Sequence, residues 1–333
     1  MNAVSLGDKA RSILGSEVIW DAHSGFMPDP AADLNNLKIW RDAGVDYLSI
    51  DVGFDLLPWE KTVATLACFR HWILARPADY ALVSSADDIL AAKAQDKLAV
   101  TFDIEGMNAL NGRIEMVEFY HRLGVRQMLF AYNRNNLAGG GCHDDDTGLT
   151  AFGRQVIDEM NRLGMFVDLS HTGYRTTMKV MEYTDRPVIF SHSNPKALCV
   201  HGRNITDEQI KACARTGGVV GVVGLSRFLG EGRTDSERLA DHVEYLIDLA
   251  GPRHVGIGLD YAFPVEIEGV DDIIASNPHF WPKNEYPEGK TSYSLPSQMK
   301  ELIEVLLRRG QPEPTVRNLL GGNFMRLARE IWK

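Results

Sequence analysis

Short apolar runs recur along the 333-residue chain, each followed by a segment with apolar residues at helical spacing. Two of these runs, 165–169 and 187–190, each lead into a Ser-His pair, and residues 174–183 between them are long enough for a helix. Runs of roughly four to eight apolar residues bounded by turn signals read as strands buried on both faces. Two parallel strands need a crossover between them, commonly a helix. The unit predicts strand–helix–strand, with His171 and His192 at the carboxyl ends of neighbouring strands on one side of one sheet. That side carries the chemistry of α/β sheets and barrels. A lone histidine after a strand is ordinarily a hydrogen-bonded structural residue. Two at equivalent positions of successive units point instead to a metal or acid–base role.

The same alternation extends along the chain. Run 17–20 leads into Asp21-Ala-His23, 45–52 carries Asp51, 98–104 runs into Glu105-Gly106, 125–131 precedes Tyr132, and 254–259 ends at Asp260; a Gly/Val strand spans 218–223. Helical spacing is found at 34–43, 59–75, 86–94, 116–123, 149–163, 236–250 and 296–309, with one or two more helices over 314–332. Ser85 is placed as an N-cap, and Thr206-Asp207 opens another helix. About eight strand–helix alternations with no linker or internal repeat predict one (β/α)8 TIM-type barrel over 1–333, with an open doubly wound sheet as the alternative. Two segments lack periodicity. The Gly- and Asp-rich stretch 133–148 reads as a functional loop or a solvated connection, and 261–293 as a long loop over the site.

Composition narrows the function. The formal net charge of −10 argues against nucleic acid or an anionic membrane as a main partner and says little more. No apolar run approaches the roughly 20 residues of a membrane span, and residues 1–20 carry no signal-like apolar core. Cys68, Cys142, Cys199 and Cys213 are widely spaced, as expected of free thiols in a reducing, cytoplasmic setting. A homodimer is compatible with all of this. No glycine-rich phosphate or dinucleotide motif follows a strand.

Collected at the predicted strand ends are His23, Asp51, Glu105, Tyr132, His171, His192 and Asp260. Imidazoles and carboxylates without a thiolate suit zinc or another borderline divalent ion. One carboxylate with two or three imidazoles can hold zinc and leave a position for water, which ionises near neutral pH and attacks a carbonyl. The expected chemistry is metal-assisted hydrolysis. His143 is read as a solvated loop residue, His201 as a neighbour supporting Arg203 or lying at the surface, and the remaining histidines as structural.

These pieces resemble the renal (membrane) dipeptidase family, zinc peptidases built as amidohydrolase-type barrels. The resemblance rests on DAH near the start, FDIEG, LTAFGRQVIDEMNRLGMFVDLSH, VIFSHSNP, HGRNITDEQI, HVEYLIDLAGPRHVGIGLDYAF and NLLGGNFMRL, together spanning about residues 17 to 330. It implies two metals bridged by Glu105, with His171 and His192 completing one shell and His23 ligating the other. It also implies that Arg203 holds the substrate's free carboxylate, for which a guanidinium fork is suited, and that Asp260 handles the proton of the attacking water or serves the leaving amine.

The chain departs from the family pattern twice. The family has His-x-Asp at the first strand, whereas this chain has His23-Ser24-Gly25. With glycine at 25, the companion metal keeps only His23 and the shared Glu105, and two protein ligands hold zinc poorly. The expectation is one firmly held zinc and a second ion that is weak, absent or different, with Gly25→Asp restoring it if the strand end has room. Strand alternation alone does not place Asp21. The second departure is Tyr132, where the family has a histidine that polarises the scissile carbonyl; a phenol can donate a hydrogen bond there but carries no positive charge. The expected activity is hydrolysis of dipeptides or related small amides. Hydrolysis of another amide or a lactam on the same scaffold, and a non-catalytic ligand-binding barrel, are the alternatives.

Overall fold

The computed structural model describes residues 5–263, 275–287, 289 and 291–333. Eight strands lie side by side, all parallel: β1 (Trp20–Ser24), β2 (Tyr47–Phe54), β4 (Leu98–Glu105), β5 (Val125–Leu129), β6 (Phe166–Asp168), β7 (Ile189–Phe190), β8 (Val219–Val222) and β9 (Val255–Ile257). A ninth, β3 (Tyr80–Leu82), pairs with the first half of β4, on the edge that β5 takes over higher up. The sheet closes on itself. Ser24 bridges Tyr261, Asp260 N–H donates to His23 O at 3.2 Å, and Gly25 N–H donates to Tyr261 O at 3.0 Å. Asp21 serves this seam: its carboxylate accepts from Leu259 N–H and from Trp40 Nε1–H, both at 2.8 Å. The closed (β/α)8 barrel holds, and the open doubly wound alternative does not.

Period-2 alternation sorts the side chains. On β4, Leu98, Val100, Phe102 and Ile104 belong to the core between sheet and helices. Ala99, Thr101, Asp103 and Glu105 share the opposite parity and face the barrel interior with Tyr47, Ser49 and Asp51 of β2. The cross-strand bonds Tyr47 Oη to Thr101 Oγ1 (2.5 Å) and Ser49 Oγ to Asp103 record this. The interior therefore grades along the barrel axis. At the amino end of the strands Trp20 stacks on Tyr47 (3.6 Å between centroids), beside Phe324 and Trp332 from the end of the chain. Hydroxyls follow, then carboxylates at the carboxyl end. An apolar plug at one end and an acidic mouth at the other put the polar chemistry at a single rim.

The helices begin as their caps dictate. Ser85 and Asp88 form a capping box opening Ala86–Lys93, and Thr206 with Gln209 does the same for Asp207–Arg215. Helices Tyr174–Tyr183 and Ser236–Ala250 have the spans their periodicity predicts. The helix Leu6–Ser16 and strand β3 are additional to the predicted elements. The 133–148 segment is structured: Asp146 accepts from Thr176 N–H (2.9 Å) and Thr176 Oγ1 (2.6 Å), anchoring the loop to the first turn of helix Tyr174–Tyr183. Of the expected loop 261–293, residues 264–274, 288 and 290 lie outside the described residues.

Candidate metal and substrate site

Strand β4 ends at Glu105, whose side chain enters the mouth of the barrel and is only 7% exposed. Gly106 follows with φ +116°, and a β-carbon there would stand 2.1–2.3 Å from the Asp55 carboxyl group, so the chain can turn away here only with glycine. Three imidazoles converge on one atom of that glutamate. Glu105 Oε1 lies 3.6 Å from His23 Nε2, 3.3 Å from His171 Nε2 and 3.5 Å from His192 Nε2.

Each imidazole is turned by a partner on its other nitrogen. Asp103 Oδ1 stands 3.0 Å from His23 Nδ1, Asn133 Oδ1 is 2.7 Å from His171 Nδ1, and Ser191 Oγ is 2.8 Å from His192 Nδ1. The Asp103 carboxylate and the Asn133 amide oxygen only accept, which leaves the proton on Nδ1 and presents Nε2 to the centre, while the Ser191 hydroxyl can either donate or accept and holds the His192 ring in place. Glu105 Oε1 and His192 Nε2 have no hydrogen-bond partner although both are buried. Orphaned buried polar atoms are costly, and a cation among these donors removes the cost. Neighbouring donors around one zinc, with bonds of about 2.0–2.2 Å, stand roughly 3.3–3.6 Å apart in a tetrahedral shell. The donor set thus suits a divalent ion. Among the described residues, the donors that all lie within 4.8 Å of one another are those of His23, Glu105 and His192. His171 lies outside that group and joins it through its 3.3 Å approach to Glu105 Oε1. This grouping is tighter about His23 and His192 than the division by family pattern expects.

The electrostatics divide the imidazoles: without an ion, the acidic groups around His23 hold on it a proton that a cation would displace, whereas His171 and His192 stay neutral. Burial pushes the Glu105 carboxyl up to about 8; His23 and Arg203 oppose the shift, while Asp260 and Asp103 add to it. Burial also raises Asp51, helped by Glu105 and Asp103. For His23, burial opposes charge, but Asp103, Glu105 and Asp260 outweigh it and hold the imidazole well above its usual pKa. His171 and His192 are pushed well below theirs by burial, with Arg203 and neighbouring histidines adding to the effect, so their Nε2 lone pairs stay available.

Around this centre lies a cavity of about 850 Å³, bordered by Glu105, His171, Asp260, Tyr132, Phe263 and Trp281 among others. Tyr132 stacks on His171 (4.2 Å between centroids), and its backbone N–H donates to Asp55 Oδ2 at 3.0 Å. Asp260 Oδ1 is 3.7 Å from His23 Nε2. Arg203 is 2% exposed, donates from Nη2 to His192 O at 3.1 Å, and leaves Nε unpartnered. It borders a second cavity of about 230 Å³ that shares His171 with the first. Among the described residues no carboxylate pairs with it within 4.0 Å.

Two expectations change, and Asp21, which strand alternation left unplaced, finds its position. Gly25 has no room for a side chain: its β-carbon would lie 2.0 Å from Asp260 Oδ1 and 2.5 Å from Asp260 O, so Gly25→Asp cannot simply restore a ligand. Asp21 belongs to the barrel seam and not to the site. His143 is not a solvated loop residue, because its Nε2 meets Tyr286 Oη at 3.0 Å and ties the 133–148 loop to the segment over the cavity. Asn133, Asp103, Ser191 and Asp55 were not singled out from sequence. Only Asp103 carried a legible signal there, sharing strand parity with Glu105. His171, Asn133 and Asp260 all have positive φ (62°, 61° and 55°), an unfavourable conformation for non-glycine residues that clusters where function needs it.

The chain is similar to known proteins over most of its length. The profile of the membrane dipeptidase family (peptidase family M19) matches residues 32–278. A relative named an uncharacterized dipeptidase, from Schizosaccharomyces pombe, is 31% identical over 301 residues, covering 86% of this chain and 65% of that protein. The chain spans between about half and two thirds of the length of the curated relatives it matches. Among solved structures, an amidohydrolase from Pseudomonas aeruginosa superposes with a TM-score of 0.88 at 29% identity, covering 97% of this chain and 99% of that one. A metallopeptidase from Rhodobacter sphaeroides, liganded with a phosphinate mimic of the dipeptide L-Ala-D-Ala, shares the fold with a TM-score of 0.75 at 21% identity, covering 95% and 99% of the two chains. With a family match over residues 32–278, most of its length, the chain belongs to the membrane dipeptidase family, peptidase family M19.

Proposed function

We propose that this protein is a zinc-dependent hydrolase of dipeptides, or of closely related small amides, that carry a free carboxylate. The observation behind the reading is the convergence of three Nε2 atoms on Glu105 Oε1, each imidazole held from behind. Glu105, His171, His192 and His23 are the metal-holding residues. A bound divalent ion supplies Lewis acidity, lowering the pKa of water and polarising a carbonyl.

The chain's own groups do the rest. Arg203 takes the substrate carboxylate: a buried guanidinium with a free Nε and no acidic partner among the described residues needs an anion. Tyr132, held by Asp55 and stacked on His171, donates its hydroxyl toward the carbonyl oxygen as negative charge develops there. Asp260, raised above the usual carboxylate range by burial, accepts the proton that water sheds as its oxygen adds to the carbonyl carbon. It returns that proton to the nitrogen as the C–N bond breaks. The phosphinate mimic in the Rhodobacter sphaeroides relative supports a dipeptide-like ligand in this fold. The four free thiols favour a reducing compartment such as the cytoplasm.

A panel of free dipeptides, assayed for released amine with wild type and Glu105→Gln, tests the reading. Turnover by wild type and its loss in the variant are expected; no turnover of any dipeptide by zinc-loaded wild type would refute it.

A further inference from the structure

We infer that Asp260 is the third protein ligand of the ion on the His23 side, occupying the space a carboxylate at position 25 would otherwise fill. The inference rests on the metal-dependent reading above and concerns how this chain meets the loss of a ligand at Gly25. The count of two protein ligands for that ion assumed that nothing replaces the missing side chain.

The geometry supplies a replacement. Asp260 Oδ1 is 3.7 Å from His23 Nε2, and Glu105 Oε1 is 3.6 Å from the same nitrogen. Each separation from His23 lies close to the spacing of neighbouring donors about one zinc, roughly 3.3–3.6 Å; Asp260 stands outside the mutual 4.8 Å group of His23, Glu105 and His192, so its carboxylate has to close on the ion as the ion binds. Glu105 Oε1 has no hydrogen-bond partner and is buried, so the shared position calls for a cation independently of Asp260.

Gly25 and Asp260 are also mutually dependent. A β-carbon at 25 would lie 2.0 Å from Asp260 Oδ1, far inside any allowed contact, so a side chain there and this placement of Asp260 exclude each other. Glycine at 25 is the condition for the aspartate's approach. The backbone is committed to it as well: Asp260 sits at φ +55° and donates its N–H to His23 O, in the seam that closes β9 onto β1. Left-handed backbone is unfavourable for a non-glycine residue, and here it aims a carboxylate at His23. With Oδ1 toward the ion, Oδ2 remains to accept a proton, so ligation and proton handling are compatible in one residue.

The test is metal stoichiometry and affinity, read without reference to turnover. Wild type, Asp260→Asn and Gly25→Ala are stripped with chelator, titrated with zinc by calorimetry, and analysed for zinc per chain after dialysis. Circular dichroism and the Tm of the metal-free forms establish that each variant folds. Wild type is expected to bind two zinc ions. Asp260→Asn should keep one and lose affinity for the other by about 100-fold or more. Gly25→Ala should do the same indirectly, by pushing the aspartate away. Because Asp260→Asn is nearly isosteric, it decides the matter even if Gly25→Ala fails to fold. Two ions held by Asp260→Asn with unchanged affinity, or a single ion in wild type, would overturn the inference and leave the hydrolase reading standing. No zinc bound by wild type would remove both.

Discussion

Asp103 Oδ1 and His23 Nδ1 lie 3.0 Å apart in the barrel interior, and the contact decides which nitrogen of that imidazole faces Glu105. Asp103 is fully buried and also accepts from Ser49 Oγ, so it is fixed from the neighbouring strand. Partners of this kind orient a metal-binding histidine, and their loss typically lowers metal affinity by about 10- to 100-fold. Asp103→Asn removes the charge and offers an amide that can turn a donor toward Nδ1. Zinc titration should show the weaker site on the His23 side falling by that factor, with the helical circular dichroism signal preserved. Unchanged affinity would mean that His23 is oriented by packing alone, for example by its stacking on His192 at 4.1 Å.

The role proposed for Arg203 predicts a discrimination between substrates. A charge-assisted hydrogen bond to a carboxylate is worth about 1.5–3 kcal/mol, or roughly 10- to 150-fold. Wild type should therefore prefer a free dipeptide over its C-terminal amide by about that ratio in kcat/KM. Arg203→Lys should narrow the preference, because a point charge replaces a planar fork. Equal turnover of acid and amide would exclude this role for Arg203.

Acid stability should follow a histidine that is not among the proposed site residues. His242 is fully buried, and its Nε2–H donates to Leu229 O at 3.0 Å. Burial lowers its pKa to about 4, with Arg238 opposing charge further; the Leu229 carbonyl and Asp241 work the other way. The unfolded chain takes up this proton near pH 6.5 and the folded protein only near pH 4. The stabilisation is complete above pH 6.5 and is lost as the pH falls toward 4, by on the order of 2–3 kcal/mol at most. His242→Gln keeps a donor but cannot titrate, so its Tm should fall less between pH 6.5 and 4. Parallel Tm profiles for the two proteins would show that other groups govern the acid limb.

Much of this architecture is legible in the residues. The runs ending in His171, His192, Glu105 and Asp260 announce strand ends because each passes abruptly from apolar side chains to one ionisable group. Helices such as Ser236–Ala250 are marked by a strong apolar stripe. Strand β3 is three residues long and half-covered, too short for any periodicity to register. Asp103 could have been found by taking β4 as alternating instead of uniformly apolar, since Thr101, Asp103 and Glu105 form a polar ladder at period two. Asn133 and Ser191 touch the histidines through folding that brings distant loops together, and nothing local in NRNN or FSHS distinguishes them. The relation of Gly25 to Asp260 joins the first strand to the last and becomes visible only when the barrel closes.

The most direct test of the central claim is metal removal and restoration in one preparation. Protein purified without chelator is assayed for hydrolysis of a free dipeptide, stripped, assayed again, and reloaded with zinc. The structure predicts hydrolysis at the start, its loss on stripping and its return with zinc, since Glu105 and three imidazoles present their donors to a single centre. Hydrolysis that continues at the same rate in protein verified to be metal-free would contradict it.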